Sequence, residues 1–210
     1  MQYFEDELHA AVMAAEDAGT YVMVHVYVPE AIRRAIRAGV KSIEHGQLID
    51  EPTMKLIAEK GVWLSMQPFI GEGNNHYTNP VQQAKHELVV QGTDRAYQLA
   101  KKYGVKLAWG TDLLFSPANA RNQNLNIEKM TRWFSNFEIL KMITHDNAEL
   151  LALSGRRNPY PGKLGVIEEG ALADLIVVDG NALEDIKVLT DPGKNMLLIM
   201  KDGKIYKNDL

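Results

Sequence analysis

The chain has 210 residues, of which 46% are hydrophobic and 24% are charged, as in an ordinary globular protein. A formal net charge of −4 argues against nucleic acid or an anionic membrane surface as partner, and no apolar stretch reaches the roughly 18 to 20 residues that span a bilayer. The sequence has no cysteine, which excludes disulfides and thiolate ligands, so a metal would need His, Asp, Glu or a modified Lys.

Helical and strand patterns alternate along the first half of the chain. Helices are predicted at residues 5–18, 30–38, 52–60 and 81–103, with a break at Gln91-Gly92 as an alternative for the last. Short apolar runs typical of buried strands lie at residues 21–26, 40–44, 62–66 and 105–109. This alternation predicts an α/β fold with parallel strands, and four strands are half of an eight-stranded barrel.

The pattern changes after Asp112. Helices are predicted at residues 126–134, 137–143 and 147–153, and an irregular segment follows at residues 156–162. Apolar runs at residues 173–178 and 196–200, with Asp202-Gly203 as a hairpin signal, predict β-strands. We therefore expect a partial barrel over residues 1–162 and part of a small β-domain over residues 163–210.

Three metal-competent residues stand at predicted strand ends: His25, His45 and Asp112. The carboxyl ends of barrel strands open onto one face, and neighbouring strands lie about 4.8 Å apart. Two imidazoles there can reach one ion at about 2.0 to 2.1 Å, with Asp112 as third ligand and as general base. The alternatives are an ordinary core histidine and a turn-capping aspartate.

Three further residues are candidates for contact with a substrate. Tyr27 points to the same side of an extended strand as His25, and Gln67 ends the third predicted strand. His76 lies in a loop rich in Gly and Asn, where binding residues are common, although exposed loop histidines are common too.

Taken together, these motifs resemble the amidohydrolase superfamily, in particular metal-dependent hydrolases similar to imidazolonepropionase and Xaa-Pro dipeptidase. The resemblance covers nearly the whole chain. It rests on residues 24–32, 42–46, 110–112 and 165–179, and on the hairpin at 200–204.

The resemblance implies that His25 and His45 are the ligands of barrel strands 5 and 6, and that Asp112 is the strand-8 aspartate. It also implies a divalent metal, with zinc as the expected ion. A full-length protein would hold one or two such ions, and this chain would hold at most one. The family's first-strand His-x-His motif and fourth-strand lysine do not occur in this sequence. The resemblance is therefore to the C-terminal half of a TIM-like (β/α)8 barrel, with C-terminal strands of a small β-sandwich domain.

The implied activity is hydrolysis of an amide C–N bond, in a dipeptide or a non-peptide small molecule, by metal-activated water. The alternative is a catalytically inactive half-barrel that serves as an assembly or binding module. Open sheet edges and exposed apolar surface predict a homo-oligomer or pairing with a missing N-terminal half. The acidic first residues do not resemble a secretory signal, so a cytoplasmic location is expected by default.

Overall fold

The computed structural model describes residues 2–71, 77–113 and 120–210. These residues form two compact units. The first contains Met1–Gly110 and Ala152–Arg157, and the second contains Thr111–Leu151 and Asn158–Leu210. The division at residue 162 that the sequence suggested stays a prediction.

The first unit is a parallel sheet whose strands are connected by helices. Its helices are α1 (Glu5–Asp17), α2 (Pro29–Arg37), α3 (Glu51–Lys60) and α4 (Pro80–Tyr103). Its strands are β1 (Met23–Val26), β2 (Ser42–His45), β3 (Trp63–Met66) and β4 (Leu107–Trp109). The strand order is β1-β2-β3-β4, with every neighbouring pair parallel. This confirms the predicted α/β class with its parallel sheet, whereas the half-barrel description stays a prediction.

Local sequence signals set the helix ends in this unit. The Asp50 side chain accepts a hydrogen bond from the Thr53 backbone N–H at 2.9 Å and so caps α3. Gly61 ends the same helix in the left-handed conformation, with φ of 63°. The alternative of a break at Gln91-Gly92 is wrong, because α4 runs unbroken through both residues.

The register of the sheet separates an apolar row of side chains from a polar row. Val24, Ile43, Leu64 and Leu107 are mutual neighbours across the four strands. One residue later along each strand, His25, Glu44, Ser65 and Ala108 form the next row. Since strand side chains alternate between faces, the polar row lies on the face opposite Ile43 and Leu64, which are fully buried.

The second unit begins with short helices and ends in an antiparallel sheet. Its helices are α5 (Leu125–Lys129), α6 (Asn136–Lys141), α7 (Asn147–Ala152) and α8 (Pro192–Asn195), and its strands are β5 (Leu175–Val178), β6 (Met196–Lys201) and β7 (Lys204–Asn208). The sheet order is β5-β6-β7. Asp202 and Gly203 turn the β6–β7 hairpin with φ of 49° and 72°, the conformation that an Asp-Gly pair favours.

Among the described residues, no helix combines the length and the apolar character that a crossing of the bilayer demands.

Candidate metal centre

The structure brings the two predicted histidine ligands together. His25 lies on β1 and His45 ends β2, and their ring centroids are 4.4 Å apart with the rings nearly perpendicular. His25 is exposed, whereas His45 is only 4% exposed. One imidazole is thus fixed inside the protein and its neighbour opens to solvent, as a site that admits a small molecule requires.

An unusual backbone conformation places His45 beside His25. His45 pairs with Val26 in the β1–β2 register, so regular alternation would send its side chain to the apolar row. Instead, its φ of 80° is in the left-handed region, where residues other than glycine are uncommon. With this backbone, the His45 ring contacts the ring of His25. Non-glycine residues held in this conformation cluster at functional sites.

Gln67 fixes the orientation of the His45 ring. Its Oε1 lies 2.6 Å from Nδ1 of His45, and both side chains are 4% exposed. An amide oxygen can only accept a hydrogen bond, so Nδ1 of His45 carries the proton. In the neutral imidazole, Nε2 is then the unprotonated nitrogen that can ligate a metal, which is the usual arrangement of a metal-bound histidine with an outer hydrogen-bond partner.

Tyr27 completes an aromatic group around the two histidines. Its ring stacks on His45 at 4.7 Å and meets the edge of His25 at 5.1 Å. The sequence-based expectation that Tyr27 points to the same side as His25 agrees with this contact. Whether Tyr27 or Gln67 touches a substrate stays a prediction.

A carboxylate also belongs to the polar row. Glu44 is the register partner of His25, and its Oε1 accepts a hydrogen bond from the Ser42 hydroxyl at 2.6 Å. Partial burial raises the pKa of Tyr21, and the negative charge of Glu44 adds to that rise. One carboxylate thus lies in the same row of the sheet as His25, and a negative charge there favours a bound cation.

Asp112, the third predicted ligand, belongs to the second unit. It follows β4, is exposed, and has a φ of 51°. Among the described residues, the only other non-glycine positions with positive φ are His45 and the hairpin residue Asp202. Two of the three predicted ligands thus share a backbone conformation that side chains rarely adopt. The assignment of Asp112 stays a prediction, and His76 lies outside the described residues.

The histidine pair fits a metal ion. Two imidazoles that bind one zinc ion at about 2.0 to 2.1 Å have ring centroids no more than roughly 6.5 Å apart. The observed separation of 4.4 Å is within that limit. Imidazole nitrogens are ligands that suit zinc among the common divalent ions.

Comparison with known proteins identifies the family. The model of the amidohydrolase family matches residues 1–206. This chain belongs to the amidohydrolase family. It is 32% identical over 210 residues to the ochratoxinase of Aspergillus niger, covering 98% of this chain and 42% of that protein.

Solved structures agree with this assignment. A prolidase complexed with N-methylphosphonate-L-proline is 36% identical with a TM-score of 0.85, covering 99% of this chain and 50% of that one. A Xaa-Pro dipeptidase with bound methionine in its active site is 32% identical with a TM-score of 0.82, at 99% and 50% coverage. The chain therefore spans about half the length of the relatives it matches.

Among the described residues, one group of three side chains that could ligate a metal has its ligand atoms close together, and it lies in the second unit. One ligand atom from each of His145, Asp146 and Glu149 lies within 4.8 Å of the others. His145 Nδ1 is 2.9 Å from Asp146, whose carboxylate also pairs with the Lys141 ammonium. Because Lys141 already supplies a positive charge, we interpret this group as a salt-bridged helix junction.

Two further residues, not predicted from the sequence, lie close to the candidate site: Glu44 and Gln47. Glu44 could have been found, because it immediately precedes His45 and alternation places it in the row of His25. For Gln47, no local feature of the sequence indicates that the residue lies at the site. It is fully buried, and its Nε2 lies 3.5 Å from both the backbone oxygen and Oε1 of Gln67.

Proposed function

We propose that this chain carries part of the active site of a metal-dependent hydrolase that cleaves amide C–N bonds in small molecules. The observation that carries the proposal is the apposition of His25 and His45 at 4.4 Å, made by a left-handed backbone at His45. Family membership supports the reaction type. The wider proposal, retained from the sequence, is that the first unit corresponds to half of a (β/α)8 barrel.

In this proposal, His25 and His45 hold the ion, and Asp112 is the third ligand predicted from the sequence. A divalent ion bound there would supply Lewis-acid activation for hydrolysis of an amide. Asp112 would act as the general base and then as the general acid that protonates the nitrogen of the leaving group. Gln67 keeps His45 in the tautomer that can bind a cation.

For the substrate we propose a dipeptide or a similar small amide. A prolidase and a Xaa-Pro dipeptidase are among the similar structures, and an ochratoxinase is among the similar sequences. The Tyr27 ring, which covers His45, supplies an apolar surface beside the reacting carbonyl.

Zinc binding tests the proposal directly. We expect the purified chain, loaded with zinc and passed through a desalting column, to retain about one ion by elemental analysis. His25→Ala and His45→Ala should each lower retention at least tenfold, because one imidazole alone holds the ion weakly. His9→Ala removes an exposed histidine on α1 and serves as the matched control.

The same experiment distinguishes the alternative function, an inactive assembly or binding module. Among the described residues, β1 is an edge strand with a sheet partner on one side only, and this favours the alternative. For the same reason we propose that the chain self-associates. Zinc retention that is equal in the wild type, His45→Ala and His9→Ala would contradict the metal site and leave the module as the better account.

A further inference from the structure

We propose that Gln67 and Gln47 form a positioning pair that sets the tautomer and the orientation of His45. This inference rests on the proposed metal site. Gln67 holds the proton of His45 on Nδ1 through the 2.6 Å contact with its Oε1. In free histidine the proton prefers Nε2, so without Gln67 the nitrogen needed for metal binding would be blocked more often.

Burial gives the Gln67 contact its strength. Both members of the hydrogen bond are 4% exposed, so water competes little for either one. Loss of the acceptor would leave a buried N–H unsatisfied, and the ring would shift its proton or rotate to avoid that cost. The Gln67 amide oxygen thus contributes to fixing the orientation of His45.

Gln47 holds the amide of Gln67. Its Nε2 is 3.5 Å from Gln67 Oε1 and 3.5 Å from the Gln67 backbone oxygen, and the residue is completely buried. Among the described residues, Oε1 of Gln47 has no hydrogen-bond partner. A buried amide oxygen in that state lowers stability, so packing alone does not explain a glutamine here.

Helix α4 fixes the loop that carries Gln47. A Cβ added to Gly92 would lie 2.2 Å from the backbone oxygen of Gln47, which shows how closely the helix approaches the loop. Three residues farther along α4, Arg95 donates a hydrogen bond to the backbone oxygen of Ile49 at 2.7 Å. These two contacts locate the loop from residue 47 to residue 49, and hence the Gln47 side chain.

The tautomer of His45 provides a test that is independent of activity. In the metal-free chain, ¹⁵N-detected NMR of the imidazoles, assigned with His45→Ala, should show His45 protonated on Nδ1. Gln67→Leu should move the proton predominantly to Nε2. Gln67→Glu should restore Nδ1 protonation, because a carboxylate accepts the same hydrogen bond. Gln98→Leu, an exposed glutamine on α4, is the control that should leave His45 unchanged.

Zinc affinity is the second readout, measured by competition with a chromogenic chelator. Gln67→Leu should weaken binding about 10- to 100-fold, as outer hydrogen-bond partners of metal ligands do. Gln47→Leu should weaken it several-fold, and Gln67→Glu should bind at least as well as the wild type. Thermal melting of each variant identifies any loss of folding. Gln67→Glu is the variant with which the melting temperature of Gln67→Leu is compared.

The two proposals fail in different ways. A wild type that binds no zinc while His45 stays protonated on Nδ1 contradicts the proposed function but not the positioning pair. Zinc bound equally by the wild type and Gln67→Leu, or a wild-type His45 protonated on Nε2, overturns the positioning pair and leaves the metal site intact.

Discussion

At the scale of single residues, His45 combines two demands that conflict. A strand end needs extended backbone, yet the ring must reach the face of His25, and φ of 80° resolves the conflict. A left-handed conformation costs a non-glycine residue about 1–3 kcal/mol. Gly46 follows with φ of 73°, and its N–H still donates to the Val26 backbone oxygen at 2.9 Å, so the strand pairing persists past the strained residue.

This strain predicts an unequal response to substitution at position 45. Asn adopts the left-handed conformation readily, so His45→Asn should lower the free energy of unfolding by about 1–3 kcal/mol, the cost of leaving the buried Gln67 amide oxygen without the His45 N–H. Val loses the same hydrogen bond and is also β-branched, which disfavours this backbone, so His45→Val should cost about 1–3 kcal/mol more than His45→Asn. Urea titration followed by circular dichroism measures both values.

The control for this comparison is Ile43→Val, two residues earlier in the same strand. It removes one buried methylene from extended backbone and should cost about 0.5–1.5 kcal/mol. Equal stability of His45→Val and His45→Asn would show that position 45 carries no backbone strain.

At the scale of elements, the close approach of α4 to the loop after β2 decides where Gln47 lies. Gly92 permits that approach, because a Cβ there would lie 2.2 Å from the Gln47 backbone oxygen and 3.3 Å from a methyl group of Leu48. In an ordinary helix, replacing Gly by Ala gains about 0.5–1 kcal/mol. The structure predicts the opposite sign here.

Gly92→Ala should therefore destabilise the chain by about 1–3 kcal/mol, the usual cost of overpacking. It should also weaken zinc binding, since the loop that carries Gln47 must move away from α4. Gln91→Ala is the neighbouring control on the exposed side of the same helix, with an expected effect within about 0.5 kcal/mol. A Gly92→Ala variant as stable as the wild type would mean that the loop from residue 47 to residue 49 can move away from α4 with no loss of free energy of unfolding.

The elements also show which features a sequence can predict. Apolar runs and glycine stops are local signals, so the alternation of strands and helices and the parallel sheet could be predicted. The meeting of His25 and His45 followed from their positions at neighbouring strand ends. The left-handed backbone of His45 could not be predicted, because no local pattern indicates it at a histidine. The position of Gln47 could not be predicted either, because it depends on how Gly92 of α4 packs against a loop distant in sequence.

At the scale of the whole molecule, the parallel sheet has two open edges. Among the described residues, β1 has a sheet partner on one side only, and so does β4. An edge strand offers unpaired N–H and C=O groups to a second chain. Met23 on β1 is 49% exposed, and its row lies on the same face as His25. This combination of an open edge with exposed apolar surface favours association.

We therefore expect the chain to self-associate through β1. Sedimentation velocity should give a weight-average mass above 23.5 kDa that rises with protein concentration. Met23→Lys should return the mass toward the monomer value, because a charge on an edge strand opposes pairing with another edge. Met13→Lys changes an equally exposed methionine on α1 and should leave association unaltered. A wild type that stays at 23.5 kDa across a hundredfold range of concentration would show that neither edge of the sheet pairs with a second chain.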